Sequence, residues 1–338
     1  MRKGQWKRFL VFFIVIVAIS FKFLVPRRAK SGVNIDEARY AVNVRRFEQH
    51  CDEPSVNKAP SLCSASRILG STFLPSKRDE SMDTFLRDSN EETATIFRRT
   101  VLYLKMYASL SLQRYFGWSK PSALGFLNIG HLYVASEDQF RELLSGSGEV
   151  ANLLDVGSGD GSMTEKIRKV LAADSVTCIE NSSVLRRAIR SRGFHAVKSF
   201  QEMSLTSLFS HAALLNVLDR CDDPGSLLRT TIQHLQSDGT LMIATVLPFD
   251  AKVYEGRVGT KWGRAFSRMP RTPLDMTPAL SSTFEESAAV FLDAVRRVHS
   301  GLELTRWSRL PYVSSGDPKH AHYALDMAIM VFRVLPDG

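Results

Sequence analysis

The sequence predicts an α/β protein built on a doubly wound, Rossmann-like sheet. Two observations carry this. From residue 152 on, short apolar runs alternate with helical patterns, and the first apolar run ends in a cluster of glycines, "LLDVGSGDGSMT". Alternation of this kind implies parallel strands joined by crossover helices. A third observation limits the sheet's C-terminal side. The last two apolar segments, "LELTRWSRL" and "YALDMAIMVFRV", suit an antiparallel hairpin on the sheet edge.

The elements follow in order. "NLLDVGSG" is a strand running into glycines, and "MTEKIRKVLA" a helix. "SVTCIE" is a strand ending in an acid, and "SVLRRAIRSRG" a helix closed by glycine. "HAALLNV" is a strand. In "DPGSLLRTTIQHL", Asp223 is placed to cap a helix with Pro224 at its first position. "TLMIATVLPF" is a strand, and "SSTFEES" opens another helix. Upstream, "ASEDQFRELL" pairs Ser136 with Gln139 in a capping box. Residues 92–117 place Ile96, Val101, Leu104, Leu110 and Leu112 at helical spacing, which predicts a helix packed on the following domain. "PSKRDESMD" reads as solvated loop. The expected organisation is a signal segment over 1–30, a polar region over 31–91, a helical extension over 92–149 and a catalytic domain over 150–338.

Composition narrows the function classes. The chain has 338 residues, 44% hydrophobic and 23% charged, and a formal charge of +9. Much of that charge lies at the N-terminus, and no basic stripe is interleaved with aromatics, which argues against a nucleic-acid partner. The N-terminus sets basic residues before an apolar run, Phe9 to Phe21, with Lys22 and then Phe23 to Val25 after it. The unbroken run is short for a membrane span of about 20 residues. It reads first as an uncleaved signal-anchor, with Lys22 snorkelling to the headgroups, and second as a cleaved signal peptide. The expected location is the endoplasmic reticulum or another endomembrane, with mitochondrion or secretory lumen as alternatives. Of the four cysteines, Cys178 and Cys221 read as lone thiols, and Cys51 and Cys63 could pair in an oxidising lumen. No metal-binding spacing occurs.

The chemistry sits at strand ends. Asp155, Gly157, Gly159 and Gly161 follow one strand, and Glu180 ends the next. The glycines permit a tight turn and close approach of a ligand, and an acid at that strand end can accept from both ribose hydroxyls. The spacing is GxGxG, which differs from the dinucleotide fingerprint. These residues resemble motif I and its partner acid in class I S-adenosylmethionine-dependent methyltransferases. Asn181, after Glu180, would lie near the adenine, and its sequon "NSS" reads better as the start of the next helix than as a glycan site.

"LLNVLDRCDDP" turns from an apolar strand into dense polar chemistry. Strand ends of a doubly wound sheet face the ligand. Asn216 and Asp219 are therefore candidates to touch a methyl acceptor, while Asp222 and Asp223 suit helix capping. "LLDVGSGDG", "NVLDRCDDP", "VLPF", "VGTKW" and "RLPY" with "YALD" resemble the DREV (methyltransferase-like nine) family from about Gly130 onward. That resemblance implies a protein-histidine N-pros-methyltransferase acting on His-x-His motifs. It implies that Asn216, Asp219, Tyr312 and Tyr323 line the peptide site, and that Asn216 also borders the cofactor. The alternatives are a small-molecule methyltransferase and a silent Rossmann-like binding module. The sequence departs from the family at Ser210, where an acid is usual, and in "KHAHYALD" before Tyr323.

Overall fold

The computed structural model describes residues 71–75, 79–146, 152–204, 208–253, 269–277, 283–318 and 320–336. All belong to one unit, Val42–Gly338. The signal segment, Cys51 and Cys63, and "VGTKW" lie outside the described residues.

The parallel half is built as the alternation predicts. Strands β3 (Asn152–Val156), β4 (Ser175–Ile179), β5 (His195–Val197), β6 (Phe209–Leu215) and β7 (Leu235–Val246) alternate with helices α5 (Ser162–Leu171), α6 (Ser183–Ser191) and α7 (Pro224–Gln233). β3 lies between β4 and β6 and is parallel to both, so the chain reverses its direction of progress across the sheet there. The crevice at such a reversal is where α/β sheets bind ligands.

The C-terminal strands β8 (Leu302–Ser315) and β9 (His322–Val334) form the expected antiparallel hairpin, but not at the edge. β9 pairs antiparallel with β7, and β8 carries β1 (Thr72–Leu74) and β2 (Leu132–Tyr133) beyond it. The full order is β1-β8-β9-β7-β6-β3-β4-β5. β9 is apolar on both faces because both are covered: Met330 and Phe332 join one core, Met327, Ile329 and Val331 the other. The first core is closed by α7 and α8 (Phe284–Val298), with Leu228, Phe291 and Val295. The second is closed by α4 (Glu137–Leu143), α5 and α6, with Phe140, Ile167 and Ile189.

Two expectations about the N-terminal half are corrected. The loop expected in "PSKRDESMD" contains the start of α1 (Glu80–Thr93). Asp79 caps it by accepting from the Met82 N–H at 2.9 Å, and Met82 and Leu86 pack with Tyr133, Val313 and Ala324. Charged residues dominate this helix, and its few apolar positions suffice to dock it. The second correction concerns α2 (Ile96–Phe116), which forms but leaves its expected stripe only partly covered: Val101, Leu104 and Leu112 are half-buried. Ile96 is 84% exposed and Leu110 45%, while Leu102, Ser109 and Gln113 are buried. Helix α3 (Lys120–Phe126) follows. The capping box of Ser136 with Gln139 is present, as are the Asp223 and Ser182 caps.

Candidate active site

Gly157, Gly159 and Gly161 all adopt left-handed backbone, with φ of 76°, 58° and 80°. Their reasons differ. A Cβ on Gly157 would lie 2.8 Å from Val217 Cγ2, so this glycine lets the β3 loop pack on the β6 loop. A Cβ on Gly159 would meet nothing within 4 Å, so its left-handed turn borders open space. Gly161 begins α5. Asp155 lies beneath the loop. It is 2% exposed and accepts from the Thr164 hydroxyl of α5. Burial raises its carboxyl to about 6, against the Thr164 bond, which lowers it. Its contact is with the helix that carries the loop.

Glu180 stands at the end of β4, facing the glycines. Its Oε2 accepts from the Gly159 N–H at 3.1 Å and its Oε1 from the Ser182 N–H at 2.8 Å. Burial holds its carboxyl above the usual range. Each oxygen keeps a free lone pair, since an ionised carboxylate has about four acceptor sites. Asn181 is exposed, and its carbonyl accepts from Arg186. The Ser122 hydroxyl of α3 donates to Ser182 at 2.7 Å, tying α3 to this end of the sheet.

At the end of β6, Asn216 takes φ 52° and is 5% exposed. Its amide donates to Met327 Sδ of β9 at 3.1 Å, and its Oδ1 is buried without a hydrogen-bond partner. Asp219 repeats this: its Oδ1 is buried and unpartnered, and its Oδ2 pairs with Arg220 Nε at 3.5 Å. Burial raises the Asp219 carboxyl and Arg220 opposes this in part. Unsatisfied buried acceptors are costly, about 1–3 kcal/mol each, and these two, three residues apart, have no partner among the described residues.

Arg220 Nη2 donates to the Tyr312 hydroxyl at 3.2 Å. Tyr312 is 5% exposed, so it acts on the site through Arg220. Tyr323 lies diagonally across the hairpin, paired with Ser314. Its hydroxyl donates to Asp317 Oδ2 at 2.6 Å and meets His320 Nδ1 at 3.1 Å. Asn216, Asp219 and Tyr312 are thus linked to one another's neighbourhoods by Met327 and Arg220, with Tyr323 further along the same strands. Sequence reasoning missed Met327, Val217, Thr164 and Asp317. Each acts through a contact between segments distant in sequence or through a turn, and no local pattern announces it. Cys178 and Cys221 have thiols pushed up by burial to about 12, which suits inert packing.

A doubly wound sheet with β9 antiparallel between β7 and β8, and a glycine loop and acid at the switch point, is the arrangement of a class I S-adenosylmethionine-dependent methyltransferase. Residues 60–334 match the DREV methyltransferase family, and the chain belongs to that family. Its methyl donor is S-adenosylmethionine. The residues present fit that group: an open glycine turn at Gly159, a ribose-competent acid at Glu180 and an unpartnered amide oxygen at Asn216. Among solved structures, the chain is similar to the N-methyltransferase NodS from Bradyrhizobium japonicum WM9 in complex with S-adenosyl-L-homocysteine. Identity is 14%, coverage 60% of this chain and 86% of that one, and the TM-score 0.36. It is also similar to 1,6-didemethyltoxoflavin-N1-methyltransferase from Burkholderia thailandensis. There identity is 17%, coverage 60% and 79%, and the TM-score 0.39.

Proposed function

We propose that the protein is a protein-histidine N-pros-methyltransferase acting on His-x-His motifs. The observation that carries this reading is the pair of buried, unpartnered acceptors, Asn216 Oδ1 and Asp219 Oδ1. A neutral imidazole has one N–H and one lone pair. Accepting the Nε2–H at this strand end leaves the Nδ1 lone pair free for methylation and fixes the tautomer. When bound, S-adenosylmethionine supplies an activated methyl carbon. As the N–C bond forms and the methyl–sulfur bond breaks, releasing S-adenosylhomocysteine, the ring becomes positive, and the Asp219 carboxylate would stabilise that charge. Arg220, braced by Tyr312, holds Asp219 in place. After transfer, the Nε2 proton leaves to solvent and restores a neutral product. Positioning supplies much of the acceleration. Tyr323 would contact the second histidine of the motif. We further propose that the N-terminal apolar segment attaches the protein to a membrane.

The test is transfer of labelled methyl to peptides carrying His-x-His, His-x-Ala and Ala-x-His, with chromatographic separation of the two methylhistidines. The reading expects N-pros-methylhistidine from the first peptide and little from the others. Equal transfer to all three, or to none while cofactor still binds, would refute it.

A further inference from the structure

Helix α2 buries Leu102 and half-buries Val101, Leu104 and Leu112, yet keeps a further apolar stripe exposed. Its buried stripe contains Ser109 and Gln113, and Gln113 Nε2 donates to the Ser109 carbonyl at 3.2 Å. Its outward stripe also carries large apolar groups, Ile96, Tyr103, Tyr107 and Leu110. At about 100° per residue, Ile96, Arg99, Tyr103, Tyr107, Leu110 and Arg114 fall on one ridge about 27 Å long. All six are exposed, with Ile96 at 84% and Tyr107 at 55%. An apolar ridge of this length on a surface needs an occupant.

Charge selects it. The 21 residues of α2 include Arg98, Arg99, Lys105 and Arg114 and no acid. Glu91 of α1 pairs with Arg98, which lies off the ridge. A second copy would set like charges together. An antiparallel pair brings Arg99 toward Arg114, and a parallel pair brings each against itself. The chain's first thirty residues hold eight Lys and Arg and no acid, so they repel the ridge as well. An anionic lipid surface complements all of it. Tyrosines suit the boundary between headgroup and acyl chain, and the terminal arginines can extend to phosphates while their stems cover apolar surface.

We propose that the α2 ridge docks on an anionic bilayer surface, lying in the interface plane. This is a second membrane contact, separate from the N-terminal apolar segment, and it does not depend on the methyl acceptor. The test uses the full chain on vesicles of phosphatidylcholine with or without phosphatidylserine. Each contains a tracer lipid bearing a diazirine on its acyl chain, and adducts are mapped by peptide mass spectrometry after irradiation. The proposal expects adducts within residues 96–114 that depend on phosphatidylserine. It expects them to fall roughly tenfold or more in Arg99→Glu/Arg114→Glu, each cation contributing near an anionic surface. Circular dichroism and the melting temperature confirm that the variant folds. Adducts confined to residues 1–30 would overturn the proposal. So would adducts in 96–114 that ignore both phosphatidylserine and charge reversal. Cross-links between copies within 96–114, in place of lipid adducts, would assign the ridge to a second copy and overturn it as well.

Discussion

At the scale of single residues, the candidate site holds two buried oxygens, Asn216 Oδ1 and Asp219 Oδ1, with no partner among the described residues. Asp219→Asn keeps an acceptor but removes the charge that, in the proposed reaction, meets the developing imidazolium. We expect turnover to fall about a hundredfold, with cofactor affinity by calorimetry nearly unchanged. Two other buried groups oppose each other in stability. Asp155 has its folded pKa raised to about 6, so its contribution is full below the ordinary carboxylate value and is lost as pH rises through 6. His211 has its folded pKa lowered by burial to about 4, so its contribution is full above the ordinary imidazole value and is lost as pH falls through 4. The two slopes nearly cancel between pH 4 and 6. Urea denaturation across that range should therefore show Asp155→Asn gaining stability with pH and His211→Gln losing it, each by about 2–3 kcal/mol. Residue types at the site were legible: glycines, an acid at one strand end, Asn216 and Asp219 at another. Their division of labour was not. The Thr164 hydroxyl that bonds Asp155 and the Arg220 contact of Tyr312 depend on the fold and leave no local pattern.

At the scale of elements, periodicity and caps placed the parallel half correctly, because each strand and helix there announces its own ends. The N-terminal half was harder for a physical reason. α1 is held by a cap and a small satellite core, signals too sparse to stand out in a charged segment. Asp79 accepts both the Met82 N–H and, at 3.2 Å, the Tyr133 hydroxyl. Asp79→Ala should cost about 1–2 kcal/mol in urea denaturation. Proteolytic cleavage should increase first within α1. The coverage of α2 was only partly legible, because periodicity finds an apolar face without saying how much of it is covered. The hairpin was expected on the sheet edge, and β1 and β2 beyond it were not legible because strands of three and two residues leave no periodicity.

At the scale of the whole molecule, the site joins the parallel half to the hairpin. Asn216 reaches Met327 of β9, and Arg220 reaches Tyr312 of β8. Catalysis at such a site should follow two deprotonations. Under the proposed function, the acceptor imidazole must be neutral and Asp219 ionised, the latter with a carboxyl raised by burial. We expect kcat/KM to rise with pH, with a logarithmic slope of about 2 below both values, and to level off once the imidazole is neutral. In Asp219→Asn the slope should fall to about 1. A wild-type profile that declines with pH across the imidazole range would contradict this.

The position of β9 also sets a schedule for synthesis. β1 and β2 reach the sheet only through β8, and β8 reaches the parallel half only through β9. The Ser308 hydroxyl bonds the Leu74 carbonyl across 234 residues of chain. A nascent chain on the ribosome can assemble β3 to β7 early, but the edge of β7 stays bare until residues 322–334 have emerged. Nearly the whole chain must be translated before the first strand has anywhere to dock. A bare strand edge during that interval invites pairing with other chains. Premature stop codons just upstream of β9 should thus be as severe as far earlier ones, yielding aggregates or degraded product in place of a shortened enzyme.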